Sequence, residues 1–202
     1  MKALLLIDIQ NDFLPGGALA VPAGDEIIPV VNQLQPHFDL VVATQDWHPA
    51  VHKSFASQHP GQAVFSSIDL NGLLQVLWPD HCVQGTPGAE FATALDQPKI
   101  EAIFRKGTDP EIDSYSGFYD NGHRKSTGLA DYLRGKQVRQ VFVAGLAADY
   151  CVFYSIKDAL QENFKTFLIE DATRAISAEG FEKAKTEIHE RGGKIIQSGA
   201  LL

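Results

Sequence analysis

The sequence predicts an α/β fold: a three-layer sandwich in which a mostly parallel, six-stranded sheet carries helices on both faces. Two observations lead to this prediction. Six short apolar runs recur along the 202 residues, and such runs are typical of strands buried on both faces of a parallel sheet. Helical patterns separate several of these runs, and alternating strands and helices form layered α/β domains.

Each predicted strand has an apolar centre bounded by polar or turn-forming residues. In chain order the strands are KALLLID (2–8), FDLVVAT (38–44), IEAIFRK (100–106), RQVFVAG (139–145), KTFLIED (165–171) and KIIQSG (194–199). Helical periodicity covers residues 24–37, 127–135, 151–163 and 178–191. Residues 46–99 break the alternation, because they are rich in Pro, Gly and His and lack periodicity. Long irregular segments in compact domains are usually functional, so we expect one domain, residues 1–202, whose segment 46–99 binds a metal ion.

Composition restricts the classes of partner. Hydrophobic residues make up 45% of the chain and charged residues 21%, which suits a globular domain with a sizeable core. A formal net charge of −8 argues against a nucleic-acid backbone as partner. The two cysteines suit free thiols in a reducing compartment, and no long apolar run offers a membrane span. We therefore expect a cytoplasmic protein with a small-molecule partner and no nucleic-acid or membrane partner, and a homo-oligomer stays open.

Reactive side chains cluster at the predicted strand ends. Ligands of open parallel sheets bind outside the carboxyl ends of the strands. Asp8 ends the first strand, residues 44–46 end the second, and Lys106 ends the third. The fourth strand ends at Gly145, in a loop that leads to Cys151. An acid, a candidate metal ligand, a lysine and a thiol are thus expected at one edge.

The segment DWHP is the first candidate for a metal site. Residues two apart in an extended chain point to the same side, so Asp46 and His48 can grip one ion. His81, in WPDHC, is the natural third ligand, and His52 and His59 are further candidates. The alternative is that Asp46 caps a turn and the histidines lie on the surface. Three Asp/His ligands would leave open positions, as in catalytic rather than structural sites.

Cys151 is the candidate nucleophile. It falls in the first turn of the predicted helix 151–163, where unpaired backbone N–H groups and the positive helix end favour a thiolate. The alternative is a small buried hydrophobe. Of two phosphatase interpretations, the sequence weakens the first and excludes the second. A first-strand aspartate nucleophile needs an acid where Gln10 stands, and a phosphatase cysteine loop needs an arginine where Lys157 stands.

Six segments that contain these residues resemble a known family. The segments LLLIDIQNDF, TQDWHP, WPDHCVQGTPGAEF, FRKGTD, YSGF and GLAADYCV together are similar to bacterial nicotinamidases of the isochorismatase-like hydrolase superfamily, over nearly the whole chain. The resemblance implies a catalytic triad of Asp8, Lys106 and Cys151. Isochorismatases lack the cysteine, and carbamoyl-cleaving relatives generally lack the DxH pair. This chain has both.

The resemblance also implies the rest of the site. The implied metal ligands are Asp46, His48 and His81, with His52 near a position that is a ligand in only some members. The implied pocket aromatics are Phe13, Trp78 and Tyr115. A cis peptide is implied between Leu146 and Ala147, and Ala148 stands where the family commonly has threonine.

The function implied is metal-dependent cysteine amide hydrolysis, in which nicotinamide becomes nicotinate and ammonia for NAD salvage, with pyrazinamide as a second substrate. We expect Cys151 to form a thioester, Asp8 to carry the proton and the N–H groups of Ala147 and Cys151 to bind the oxyanion. One divalent ion is expected, zinc first, with iron or manganese also suited to such ligands. Two alternatives stay open: a thiol hydrolase of another small amide, and a non-catalytic module that binds a metal and nicotinamide.

Overall fold

The computed structural model describes residues 1–202. Eight strands are present: β1 Lys2–Ile7, β2 Leu40–Asp46, β3 Ser67–Leu70, β4 Leu73–Val76, β5 Ile100–Lys106, β6 Gln140–Leu146, β7 Lys165–Arg174 and β8 Lys194–Ile196. Four α-helices accompany them: α1 Ile27–Leu34, α2 Leu129–Gly135, α3 Phe153–Gln161 and α4 Ala178–Glu190. No helix is both long enough and apolar enough to cross a membrane.

Six strands form one sheet in the order β5-β2-β1-β6-β7-β8, and every pairing in it is parallel. The predicted six-stranded parallel sheet is therefore confirmed. β1 and β6 are its central strands, and their pairing runs to Ile7↔Gly145. Gly145 has a φ of +123°, and a side chain there would overlap the backbone of Ile7. Only glycine lets the chain leave β6 this close to β1.

Helices cover both faces of the sheet, as predicted, but unequally. α2, α3 and α4 share one apolar cluster with the sheet, represented by Leu133, Ile156 and Ile188. On the other face α1 is the single α-helix, and loop residues such as Phe13 and Trp78 complete the cluster.

Segment 46–99 contains regular structure that the sequence analysis missed. β3 and β4 form an antiparallel hairpin, closed by Asn71 and Gly72. Both residues have positive φ, at 54° and 85°. Asn-Gly between apolar residues is a strong short-range hairpin signal. The signal was present, although the rest of the segment lacks sheet or helix periodicity.

The helix boundaries also differ from those predicted. α1 is shorter than residues 24–37, because separate 3-10 turns at Gly24–Glu26 and Gln35–His37 flank it. α3 begins at Phe153 rather than at residue 151. A π-helical turn, Ala148–Val152, precedes α3 and contains the cysteine.

Candidate active site

Four strand ends deliver the predicted acids, lysine and thiol to one point. Lys106, at the end of β5, is central: its Nζ lies 2.9 Å from Asp8 Oδ2 and 2.6 Å from Asp46 Oδ1. The same ammonium donates a hydrogen bond to the Ser114 carbonyl at 2.9 Å and lies 3.4 Å from Cys151 Sγ. All of these residues are buried. The convergence expected at this edge of the sheet is observed.

The two oxygens of Asp8 have different surroundings. Oδ1 accepts a hydrogen bond from Thr44 Oγ1 at 2.6 Å. Oδ2 is within ion-pair distance of Lys106 Nζ, yet it accepts no well-directed hydrogen bond. Asp8 also has a φ of +47°, a conformation that aspartate and asparagine tolerate better than most residues. One carboxylate oxygen is thus held in place, and the other is free to accept a proton.

Burial and the two carboxylates set the protonation states of Lys106 and Asp46. Burial acts to lower the pKa of Lys106, but Asp46 and Asp8 outweigh it and raise that pKa well above its ordinary value. Burial acts to raise the pKa of Asp46, but Lys106 and His48 outweigh it and hold that pKa well below its ordinary value. Lys106 is therefore an ammonium ion and Asp46 a carboxylate.

The surroundings of the Cys151 thiol favour its protonated form more than the sequence suggests. Burial raises the pKa of Cys151 well above its ordinary value, although Lys106 opposes the shift. Burial likewise raises the pKa of Asp8 against the opposing charge of Lys106. Desolvation in the buried π-helical turn thus opposes the thiolate that the helix end and the nearby cation were expected to favour. The resting thiol therefore needs a base.

Asp46, His48 and His81 form a cluster whose ligand atoms lie within 4.8 Å of one another. Asp46 Oδ2 is 3.5 Å from His48 Nε2 and 3.7 Å from His81 Nε2. Nδ1 of His48 donates to the Gly107 carbonyl and Nδ1 of His81 to the Pro79 carbonyl, each at 2.8 Å. A carbonyl only accepts, so both rings carry a hydrogen on Nδ1, and each turns its Nε2 toward Asp46. This donor set fits a divalent cation.

His52 and His59 are placed differently. The His52 ring lies 4.3 Å from the His48 ring, and it clusters with His48 and Asp113 rather than with Asp46. Its Nδ1 accepts a hydrogen bond from the Ser54 backbone N–H at 3.2 Å, which places the ring hydrogen on Nε2. Burial and His48 lower the pKa of His52 to about 4. Nε2 of His52 is buried without a hydrogen-bond partner, and its ring lies outside the Asp46–His48–His81 group. His59 instead contacts the Lys53 carbonyl.

A pocket lies beside both clusters. The predicted aromatics Phe13, Trp78 and Tyr115 line it together with Asp46, His48, His81, Ala147 and Cys151. Trp78 Nε1 donates to the Tyr115 hydroxyl at 3.3 Å, which fixes two aromatic walls relative to each other. The thiol and the metal-ligand cluster therefore open into one aromatic pocket.

Sequence reasoning missed several residues of the pocket wall. These are Leu19, Asp113, Tyr150 and Ile176. Ile176 follows β7, so the strand-end rule, extended one strand further, would have found it. Leu19 and Asp113 lie in loops without any local signal.

The turn GLAADYC has its own supporting contacts. The Leu146–Ala147 peptide is cis, as the resemblance implied. Ala148 is fully buried. Asp149 accepts hydrogen bonds from the N–H groups of Ile176 and Ser177 at 3.0 and 2.9 Å. Asp149 thus links this turn to the loop that contains Ile176, a residue of the pocket wall.

Comparison with known proteins agrees with this site. Residues 2–200 match the isochorismatase domain family. The nicotinamidase of Escherichia coli K12 is 48% identical over 187 residues, which cover 91% of this chain and 87% of that protein. A nicotinamidase/pyrazinamidase structure from Acinetobacter baumannii gives a TM-score of 0.97 at 46% identity, covering 100% of this chain and 98% of that chain.

A pyrazinamidase structure from Pyrococcus horikoshii, solved in complex with zinc, gives a TM-score of 0.82 at 42% identity and covers 97% of this chain and 98% of that chain. The similarities extend from end to end of the fold, and the resemblance noted in the sequence is confirmed. The chain belongs to the isochorismatase family and, within it, to the nicotinamidases.

Proposed function

We propose that the protein is a metal-dependent cysteine amidohydrolase that converts nicotinamide to nicotinate and ammonia. One observation carries the proposal: Cys151 opens into an aromatic pocket while its sulfur shares a buried cluster with Asp8 and Lys106. The high identity to nicotinamidases supports the choice of substrate. Pyrazinamide, a ring amide of similar size, is the second substrate we propose.

In the first half-reaction Cys151 Sγ attacks the carboxamide carbon. The thiol proton passes to Asp8 Oδ2, the oxygen without a directed hydrogen bond. The carbonyl electron pair moves to oxygen, where the N–H groups of Ala147 and Cys151 would stabilise it by about 3–4 kcal/mol per donor. When the C–N bond breaks, Asp8 returns the proton to the leaving nitrogen. Ammonia departs and a thioester to Cys151 remains.

In the second half-reaction water attacks the thioester carbon and gives a proton to Asp8. The C–S bond then breaks, nicotinic acid forms, and the sulfur recovers the proton from Asp8. Lys106 stays an ammonium ion throughout, since both carboxylates stabilise its charge. Its task is to hold Asp8 and to offset negative charge as it develops on Cys151 Sγ, 3.4 Å away.

Asp46, His48 and His81 would hold the divalent ion. We propose zinc, because two imidazoles and a carboxylate suit it and because the zinc-bound Pyrococcus pyrazinamidase shares this fold. Iron or manganese suits the same ligands. When bound, the ion supplies a Lewis acid for the ring nitrogen of the substrate and for activating water. Phe13 and Trp78 would hold the ring between them.

A cytoplasmic location is part of the proposal. Both cysteines are free thiols, and free buried thiols suit a reducing compartment.

The test is an ammonia-release assay on nicotinamide with the parent protein and Cys151→Ala. We expect turnover by the parent, none by the variant, and nicotinamide binding by both in calorimetry. Turnover by Cys151→Ala would overturn the nucleophile assignment. Binding without turnover by the zinc-loaded parent would favour the non-catalytic module, and turnover of other small amides only would favour the alternative hydrolase. Activity that survives complete chelation would overturn the metal assignment.

A further inference from the structure

The turn after β1 contains two polar residues, Gln10 and Asp12, that neither the triad nor the ligand set uses. We propose that both are positioning residues for the metal centre: Gln10 holds the backbone of Asp46, and Asp12 holds the backbone next to His81. The inference rests on the metal site proposed above. These two side chains would explain how metal ligands from distant parts of the chain are held in one geometry.

Gln10 is fully buried, and its amide pairs with the peptide groups of Asp46 in both directions. Nε2 donates to the Asp46 carbonyl at 2.8 Å, and the Asp46 N–H donates to Oε1 at 2.8 Å. The second hydrogen of Nε2 goes to the Ala89 carbonyl, also at 2.8 Å. Both donors of the amide are therefore used, and two of these contacts fix the orientation of one metal ligand.

Sheet pairing explains why Asp46 needs this partner. The β1–β2 ladder ends at Leu6↔Ala43, three residues before Asp46. On the other side, β2 stays paired with β5 as far as Asp46↔Lys106. The Gln10 side chain takes the place that a β1 backbone would have beyond the end of the ladder. Asp46 is thus held from both sides, with its carboxylate between Lys106 and the histidines.

Asp12 acts in the same way on the segment that carries His81. Its Oδ2 accepts a hydrogen bond from the N–H of Cys82 at 2.7 Å. The carbonyl of Cys82 in turn accepts from the N–H of His48 at 3.0 Å. The contact is close, since a side chain on Gly88 would overlap the Asp12 carboxylate. One anchor residue, Cys82, therefore links Asp12 to the backbones of two metal ligands.

One short turn therefore organises all three ligands. Asn11–Phe13 forms a single 3-10 turn, and Phe13 is also a wall of the pocket. Groups that orient metal ligands typically change metal affinity by about 10- to 100-fold when they are removed. We expect an effect of that size on zinc affinity, separate from any loss of stability.

The test measures the zinc dissociation constant by competition with a chromophoric chelator. Gln10→Met keeps the side-chain volume and removes the hydrogen bonds, and we expect it to weaken zinc binding by about 10-fold or more. The matched control is Gln35→Met, since Gln35 is equally buried and donates to the Asp96 carbonyl away from the site. The control should lose stability but keep its zinc affinity within about threefold. A zinc affinity of Gln10→Met within the same limit would overturn the role of Gln10.

Asp12 has an internal control. Asp12→Ala removes the acceptor, whereas Asp12→Asn keeps an oxygen for the Cys82 N–H. We expect weak zinc binding in the first and recovery in the second; equal affinities would overturn the role of Asp12. If Gln10→Met does not fold, Gln10→Glu, which keeps the size and the acceptor, is measured against the same limit.

Asp46→Ala separates this inference from the proposed site. Unchanged zinc affinity in Asp46→Ala would refute the metal site itself. Lost affinity in Asp46→Ala, together with parent-like affinity in the Gln10 and Asp12 variants, would refute only the positioning roles.

Discussion

Asp8→Asn separates the charge of this side chain from its shape. Asparagine has the same size, tolerates the φ of +47°, and can still accept the hydrogen bond from Thr44. Alanine would be a poorer choice, because it would cost about 1–2 kcal/mol in this left-handed conformation. The substitution therefore removes mainly the negative charge and the proton-accepting oxygen.

The expected loss of activity is large. A positioned general base contributes about 10²- to 10⁴-fold, so we expect kcat to fall by about 10³-fold, which corresponds to about 4 kcal/mol of activation free energy. KM should change by less than about threefold, because Asp8 is fully buried and does not line the pocket. A change concentrated in kcat is the signature of a group that acts in the transition state.

The expected loss of stability is smaller. Removing one partner of a buried ion pair costs about 3–5 kcal/mol when the other charge is left alone. Lys106 keeps Asp46 at 2.6 Å and the Ser114 carbonyl at 2.9 Å. Burial also raises the pKa of Asp8 above its ordinary value, so its charge adds less to stability than that of a fully compensated ion pair. We expect the free energy of unfolding to fall by about 1–3 kcal/mol.

The assay is steady-state ammonia release from nicotinamide, with thermal unfolding measured on the same samples. Asp158→Asn is the matched control, since Asp158 is also buried with a raised pKa but does not line the pocket. It should keep kcat within about twofold of the parent. If folded Asp8→Asn retained more than a tenth of the parent kcat, Asp8 would not be the base.

Three further predictions follow from individual contacts. Thr44→Val should lower kcat by about 10-fold while Thr44→Ser retains it, because only serine still donates to Asp8 Oδ1; equal kcat values in the same assay would contradict this. In metal-free protein, stability should fall by about 3 kcal/mol as pH drops from about 6.5 to about 4, because burial lowers the pKa of His52 to about 4 and the unfolded chain binds the proton first. Denaturant titrations should show a flatter pH dependence in His52→Asn, and parallel curves would refute the assignment. Asp149→Ala should raise KM severalfold with little change in kcat, because it releases the loop of Ile176; a change confined to kcat would contradict a purely positional role.

Much of the fold and of the candidate site was predictable from local sequence. The six sheet strands are apolar runs that can be recognised in the local sequence. Parallel sheets place their reactive residues at the carboxyl ends of the strands. The strand-end rule therefore predicts Asp8, Lys106 and Cys151 at one edge of the sheet. The Asn71-Gly72 hairpin was equally readable and was missed, because residues 46–99 were treated as uniformly irregular.

Other features depend on contacts between residues far apart in the chain. Gln10 meets Asp46 across 36 positions and Asp12 meets Cys82 across 70, and no periodicity reports such pairs. His52 contacts Ser54 through Nδ1 and lies with His48 and Asp113 rather than with Asp46, which its sequence position does not show.

The protonation state of Cys151 likewise depends on the fold as well as on the local sequence. Local patterns along the chain specify which strands form and which chemical groups end them, because backbone pairing and side-chain burial follow such patterns. Proximity to a lysine and to a helix start predicted a thiolate at Cys151, whereas burial keeps the pKa of that thiol high. The pKa of this thiol therefore depends on the complete fold, because desolvation depends on everything that surrounds a group and not only on its neighbours in the chain.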